Sequence, residues 1–152
     1  MWERGWSHEE CARAVAKTAE VGYDLIEIPA LDPGSIDTAF TRKQLDKAGI
    51  GATASMGLDA ETDISSNDRE KERRGQNRLE KAVSVVRDIG ATHMCGILES
   101  AFQKYDAPTT AEGVKRACEV LARVAEKAAA SNIMMGLEVV NRYESNVLNT
   151  AS

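Results

Sequence analysis

The chain has 152 residues and a formal net charge of -5, with 43% hydrophobic and 28% charged residues. That length supports one domain with its own core, and the composition is ordinary for a globular protein. The acidic balance argues against nucleic acid as the main partner. No apolar run approaches the ~20 residues of a transmembrane helix, and the opening Met1-Trp2-Glu3-Arg4-Gly5 does not read as a signal peptide. A cytoplasmic protein with no membrane partner is therefore expected. The three cysteines, Cys11, Cys95 and Cys118, are odd in number, form no C-x-x-C and lie in apolar elements. They read as reduced packing thiols.

In chain order, Ser7-His8-Glu9-Glu10 predicts a capping box. Its helix runs to about residue 21, with Cys11, Ala12, Val15, Ala16 and Ala19 on one face and Gly22 as the stop. An apolar strand follows over 24–30, ended by Pro29 and the turn Asp32-Pro33-Gly34. Thr41-x-x-Gln44 opens a short helix that Gly49 closes. The next strand covers 50–56 and Gly57 ends it. Ser65 or Ser66 caps a long helix to about residue 89, with Leu79, Ala82, Val83, Val86 and Ile89 at helical spacing. Its charged first half, 69–74, is a solvated face. A third strand covers 93–98, and Glu99 begins a loop to Pro108. Thr109-x-x-Glu112 predicts another capping box, whose helix carries Val114, Ala117, Cys118, Leu121, Val124, Ala125 and Ala128 on one stripe. A fourth strand covers 133–140.

Strict alternation of helices with continuous apolar strands means an α/β fold with a parallel sheet, in a single domain over 1–152. Two architectures fit, an open doubly wound sheet and part of a (β/α)8 barrel. No G-x-G-x-x-G or G-x-x-x-x-G-K-[ST] follows a strand, so nothing here cradles a nucleotide phosphate.

The last strand and the segment after it carry the chemistry. Glu138 interrupts an apolar run, and an acid in a buried strand is costly unless paired or bound to a cation. Glu144 follows six residues later in a polar loop. The sequence Leu137-Glu138-Val139-Val140-Asn141-Arg142-Tyr143-Glu144, then Asn146-Val147-Leu148-Asn149-Thr150, resembles the fifth strand and following loop of the ketose 3-epimerases. These are the D-tagatose/D-psicose 3-epimerase group of the xylose-isomerase-like TIM barrels. Trp2-Glu3-Arg4-Gly5-Trp6-Ser7, Gly22-Tyr23-Asp24-Leu25-Ile26-Glu27-Ile28, Thr53-Ala54-Ser55-Met56-Gly57-Leu58 and Asp63-Ile64-Ser65-Ser66 resemble earlier segments of the same group.

The resemblance implies a partial TIM barrel, from helix 1 through strand 5, that lacks the first strand and the last three. It implies C3 epimerisation of a free ketose through a cis-enediolate, with a divalent Mn²⁺, Mg²⁺ or Co²⁺ ion. Glu138 would be both metal ligand and catalytic carboxylate. Glu144 would bind substrate near O1, Trp6 would wall the apolar side, and Ser55, Gly57 and Ile97 would line the floor. The complete protein would be a homo-oligomer, a dimer or tetramer. The 152-residue chain alone would be inactive and would self-associate through two free sheet edges.

Plainer readings stand beside these. Glu138 without its flanking motif reads as a structural acid paired with Arg142 or a neighbouring group. Glu27 reads as a supporting or salt-bridged acid, His93 as a surface or packing residue, His8 as a solvated residue in a helix first turn, and Trp6 equally as core. The roles of Glu27 and Glu99 stay open. Other chemistry on the same barrel is inosose dehydration, hydroxypyruvate isomerisation or DNA cleavage. A non-catalytic interaction protein is the reading from a different class.

Overall fold

A computed structural model describes residue 3 and residues 5–151. Helices and strands alternate as α1 (His8–Glu20), β1 (Leu25–Pro29), α2 (Thr38–Ala48), β2 (Gly51–Leu58), α3 (Arg69–Ile89), β3 (His93–Ala101), α4 (Ala111–Ala129) and β4 (Met134–Leu137). A 3-10 turn at Pro33–Ser35 follows β1. The four strands are parallel and lie in chain order.

Side chains alternate across each strand, so register fixes two faces. Ile28, Ala54 and Met94 form a register row, with Met135 beside them. The first three are fully buried. With Val15, Leu45, Leu79, Val83, Val86, Val120 and Val124 from the helices, this row makes one core. Each large apolar side chain so buried contributes about 2 kcal/mol. The opposite face carries Ser55, Cys95 and Gly136, neighbours in register on β2, β3 and β4, with Glu27 two residues before Pro29, the β1 partner of Ser55; all but Glu27 are half-buried. The two edges of the sheet are apolar and open: Leu25 stands out on β1, and Met134 and Leu137 stand out on β4.

Several boundaries differ from expectation, each for a local reason. The α1 capping box forms as read, with Ser7 and Glu10 bonded reciprocally. α2 begins at Thr38 because Asp37 takes the cap, accepting from the Phe40 amide at 2.9 Å. Thr41 lies inside that helix, buried, where its hydroxyl accepts from the Trp6 indole. α3 is capped by Asp68 and not by Ser65 or Ser66. Ser65 is drawn instead into a turn on Asp63. Thr110, not Thr109, caps α4 through the Gly113 amide, and Glu112 completes no box. On α4 the buried stripe is Gly113, Ala117, Val120, Val124 and Ala128. Val114, Cys118 and Ala125 face outward, so the packing assigned to Cys118 is corrected to an exposed thiol.

The ends of β2 and β3 matter most. β2 passes through Gly57 to Leu58. β3 does not stop at Leu98: Gly57 pairs with Ile97, then Leu58 pairs with Ala101, so Leu98, Glu99 and Ser100 form a bulge. Glu99 is therefore in the strand and buried, not in a loop. Gly96, just before the bulge, has a φ of 129° and lies against the Met56 carbonyl, where a Cβ has no room. Gly75 is a second such point, where α3 passes the Thr62 carbonyl.

Gly96→Ala is expected to destabilise the fold by about 3 kcal/mol or more, because it adds backbone strain and a clash at one point. Denaturant unfolding checks this. A midpoint equal to that of the parent would show that the close approach at Met56 is not required.

Candidate functional site

In a parallel sheet every strand ends at the same edge, so polar groups carried at the C-terminal ends converge there. β2 brings Ser55 and Gly57, β3 brings Ile97 and Glu99, and β4 delivers Glu138 one residue past its end. The Glu138 amide donates to the Gly96 carbonyl at 3.0 Å and continues the ladder. Glu138 is exposed, which corrects the expectation of an acid buried in a strand. Its carboxylate has no hydrogen bond or ion pair to a described residue, so the pairing with Arg142 does not occur. Gly57 and Ile97 are register partners beside it.

Glu144 is half-buried in the loop after β4. Asn141 Nδ2 donates to its Oε2 at 2.5 Å, and its carbonyl accepts from the Gln103 amide at 2.9 Å. The next residue, Ser145, is fully buried, and its hydroxyl lies 2.8 Å from that of Ser100 on β3. This loop is thereby fastened to the end of β3.

Trp6 is 8% exposed, and its Nε1 donates to Thr41 at 2.9 Å. Trp6 takes its core reading. It belongs to the core, and with Ser55 it also lines a cleft of about 410 Å³ along the β1 edge. Glu3, Tyr23, Leu25 and Glu27 share that cleft. Trp2 and Arg4, part of the same N-terminal motif, lie outside the described residues. Glu138, Glu144, Gly57 and Ile97 do not line this cleft.

Glu27 points across the polar face, where the Cys95 thiol donates to it at 3.5 Å. Burial raises the Cys95 pKa, and the charges of Glu27 and Glu138 raise it further, so Cys95 stays a thiol. Glu99 is 2% exposed, and neither of its carboxylate oxygens has a hydrogen-bond partner. Burial raises its pKa; its own amide, that of Leu98 and the Ser145 hydroxyl oppose this from nearby without reaching hydrogen-bond geometry, while the Glu138 charge adds to it. The sequence signal for Glu99 was an acid next to an apolar strand, and only the bulge shows that it is inside.

Beside the site, Tyr105 donates to Asp63 Oδ2 at 2.7 Å and accepts from the Ala101 amide at 3.0 Å. Burial, then Asp63, pushes its phenol up to about 12. His8 pairs with Asp37 at the surface and His93 with Thr92, so both histidines take the plain reading.

A fold of this topology with this polar edge defines a class. The pattern of the xylose isomerase-like TIM barrel family matches residues 15–152, and the chain belongs to that family. Among similar proteins are a ketose 3-epimerase from Arthrobacter globiformis, 42% identical over 99% of this chain, and an L-ribulose 3-epimerase from Methylomonas sp. (strain DH-1), 39% identical over 99%. A crystal structure of D-allulose 3-epimerase from Methylomonas sp. in complex with D-allulose superposes with a TM-score of 0.96 at 40% identity, covering 98% of this chain and 52% of that one. The chain spans about half the length of the relatives it matches, 52% of each of the first two. The four strands described here are part of a TIM barrel.

No group of three or more His, Cys, Asp or Glu that could hold a metal occurs among the described residues. Glu138 suits a hard divalent cation as one oxygen ligand, because its carboxylate is unpartnered and exposed. The chain's described residues do not complete such a site.

Tyr105→Phe is expected to lower stability by about 1–3 kcal/mol, since it leaves the Ala101 amide and buried Asp63 short of a partner. Thermal melts check this. An unchanged melt would show that the Tyr105 bridge does not hold the end of β3.

Proposed function

We propose that the complete protein carrying this chain is a ketose 3-epimerase, acting on a free ketose with a divalent Mn²⁺, Mg²⁺ or Co²⁺ ion. Support comes first from the similarity along the whole chain to proteins named ketose and L-ribulose 3-epimerase. The observation that carries it is Glu138, a free carboxylate presented at the end of β4 with Glu144 in the loop beyond. The ion would polarise the C2 and C3 oxygens and lower the cost of enediolate charge.

In this reading Glu138 is both one ligand of the ion and the base at C3. It takes the C3 proton onto a carboxylate oxygen as the C3–H bond electrons move into the enediolate. A second carboxyl group, not among the described residues, gives a proton as the neutral acid to the opposite face of C3 and becomes a carboxylate, which inverts C3. Glu144, held by Asn141, accepts a hydrogen bond near O1. Trp6 has committed its N–H to Thr41, so it offers substrate only its apolar ring. Ser55, Gly57 and Ile97 form the floor, with Gly57 leaving space. The reading extends to a cytoplasmic homo-oligomer, in line with the free thiols at Cys11, Cys95 and Cys118.

Glu138→Gln is expected to lower turnover by about a thousandfold or more and to weaken metal binding, because a base and a ligand charge go together. Turnover and metal content near those of the parent would end the assignment. Glu144→Ala is expected to act on substrate use with metal content unchanged; loss of metal would mean that the two roles are reversed. The 152-residue chain alone, lacking a full ligand set, is expected to show no epimerisation. Metal-dependent conversion of a ketose by it would require a different active site.

A further inference from the structure

Glu99 is used by none of the steps above. It sits in the β3 bulge, 2% exposed, with both carboxylate oxygens buried and unpartnered. Directly over the end of β3 runs the loop after β4, fastened by the Ser100–Ser145 hydroxyl pair at 2.8 Å and by the Gln103 amide on the Glu144 carbonyl at 2.9 Å. Within the loop, Val147 donates to the Ser145 hydroxyl at 3.1 Å, and Asn149 holds the Ser145 and Val140 carbonyls at 2.9 Å.

We propose that Glu99 is a positioning residue: its buried carboxyl is the prop on which the loop from Asn141 to Asn149 rests, and through that loop it sets where Glu144 stands. The consequence for Glu144 rests on the epimerase reading; the contact between prop and loop does not.

The physical reason is the cost of a buried charge. An unpaired carboxylate is far costlier in that place than the neutral acid. The titratable and charged groups carried by the elements that meet the end of β3 are Glu138 at the end of β4, Glu144 and Arg142 on the loop, Lys104, Tyr105 and Asp106 after β3, Asp59 after β2, Asp63 under Tyr105, and Glu112 and Arg116 at the start of α4. Glu138 acts on Glu99 with the same sign of charge, so it adds to burial in favouring the neutral form. With the loop lifted, Glu99 is solvated and ionises in the ordinary glutamate range. Loop opening therefore becomes about tenfold more favourable per pH unit above that range, until the raised pKa of the closed state is reached.

Amide hydrogen exchange, without divalent metal and corrected for intrinsic rate, tests this between pH 5 and 8. In the parent, the Gln103, Ser145 and Val147 amides are expected to lose protection as pH rises, while α3 amides do not. Glu99→Gln, which is neutral and nearly isosteric, is expected to keep them protected throughout. Glu99→Ala is expected to expose them at every pH. Identical pH profiles for the parent and Glu99→Gln would overturn the proposal, even if Glu99→Ala fails to fold. So would Glu99→Ala with parental protection. None of these outcomes depends on metal or turnover, so the epimerase reading stands or falls separately.

Discussion

The common direction of the four strands is the constraint on which the site depends. Because β1 to β4 are parallel and pair in chain order, each connection is a crossover helix, and all four C-terminal ends meet at one edge. The helices cover one face, where Ile28, Ala54 and Met94 are sealed from water. The other face is left to Glu27, Ser55, Cys95 and the approach to Glu138. A small set of apolar residues on alternate positions thus decides where every polar group can stand.

That edge is not uniform. β2 and β3 run in register until Gly57 and Ile97, and then the bulge inserts Leu98, Glu99 and Ser100 before Ala101. The bulge depends on Gly96, whose backbone lies against Met56 in a conformation side chains rarely adopt. Its effect is to turn Glu99 inward and to place Ser100 under Ser145. One irregularity in the sheet therefore joins the core to the loop that carries Glu144.

The order of elements was legible in the sequence, because periodicity and helix stops such as Gly49 leave little choice, and Gly49 closes its helix in the left-handed conformation. The helix starts were less legible. Ser65, Ser66 and Asp68 are all good caps within four residues, and Asp63 decides among them by holding Ser65 in a separate turn. Thr109 and Thr110 pose the same problem, and Thr41 resembled a cap although it is an internal partner for Trp6. Glu138 and Glu144 stood out because of their flanking residues. Glu99 did not, because its burial comes from a bulge and from a loop 45 residues away in sequence at Ser100–Ser145, neither of which leaves a local pattern.

The central claim is that Glu138 serves proton transfer at C3 of a ketose. The most direct measurement is solvent exchange: the complete protein, a divalent metal and a ketose are incubated in D₂O and the sugar is examined by NMR. The account predicts deuterium at C3 of both epimers, with none at C1. Deuterium at C1, or epimerisation without label from solvent, would contradict it.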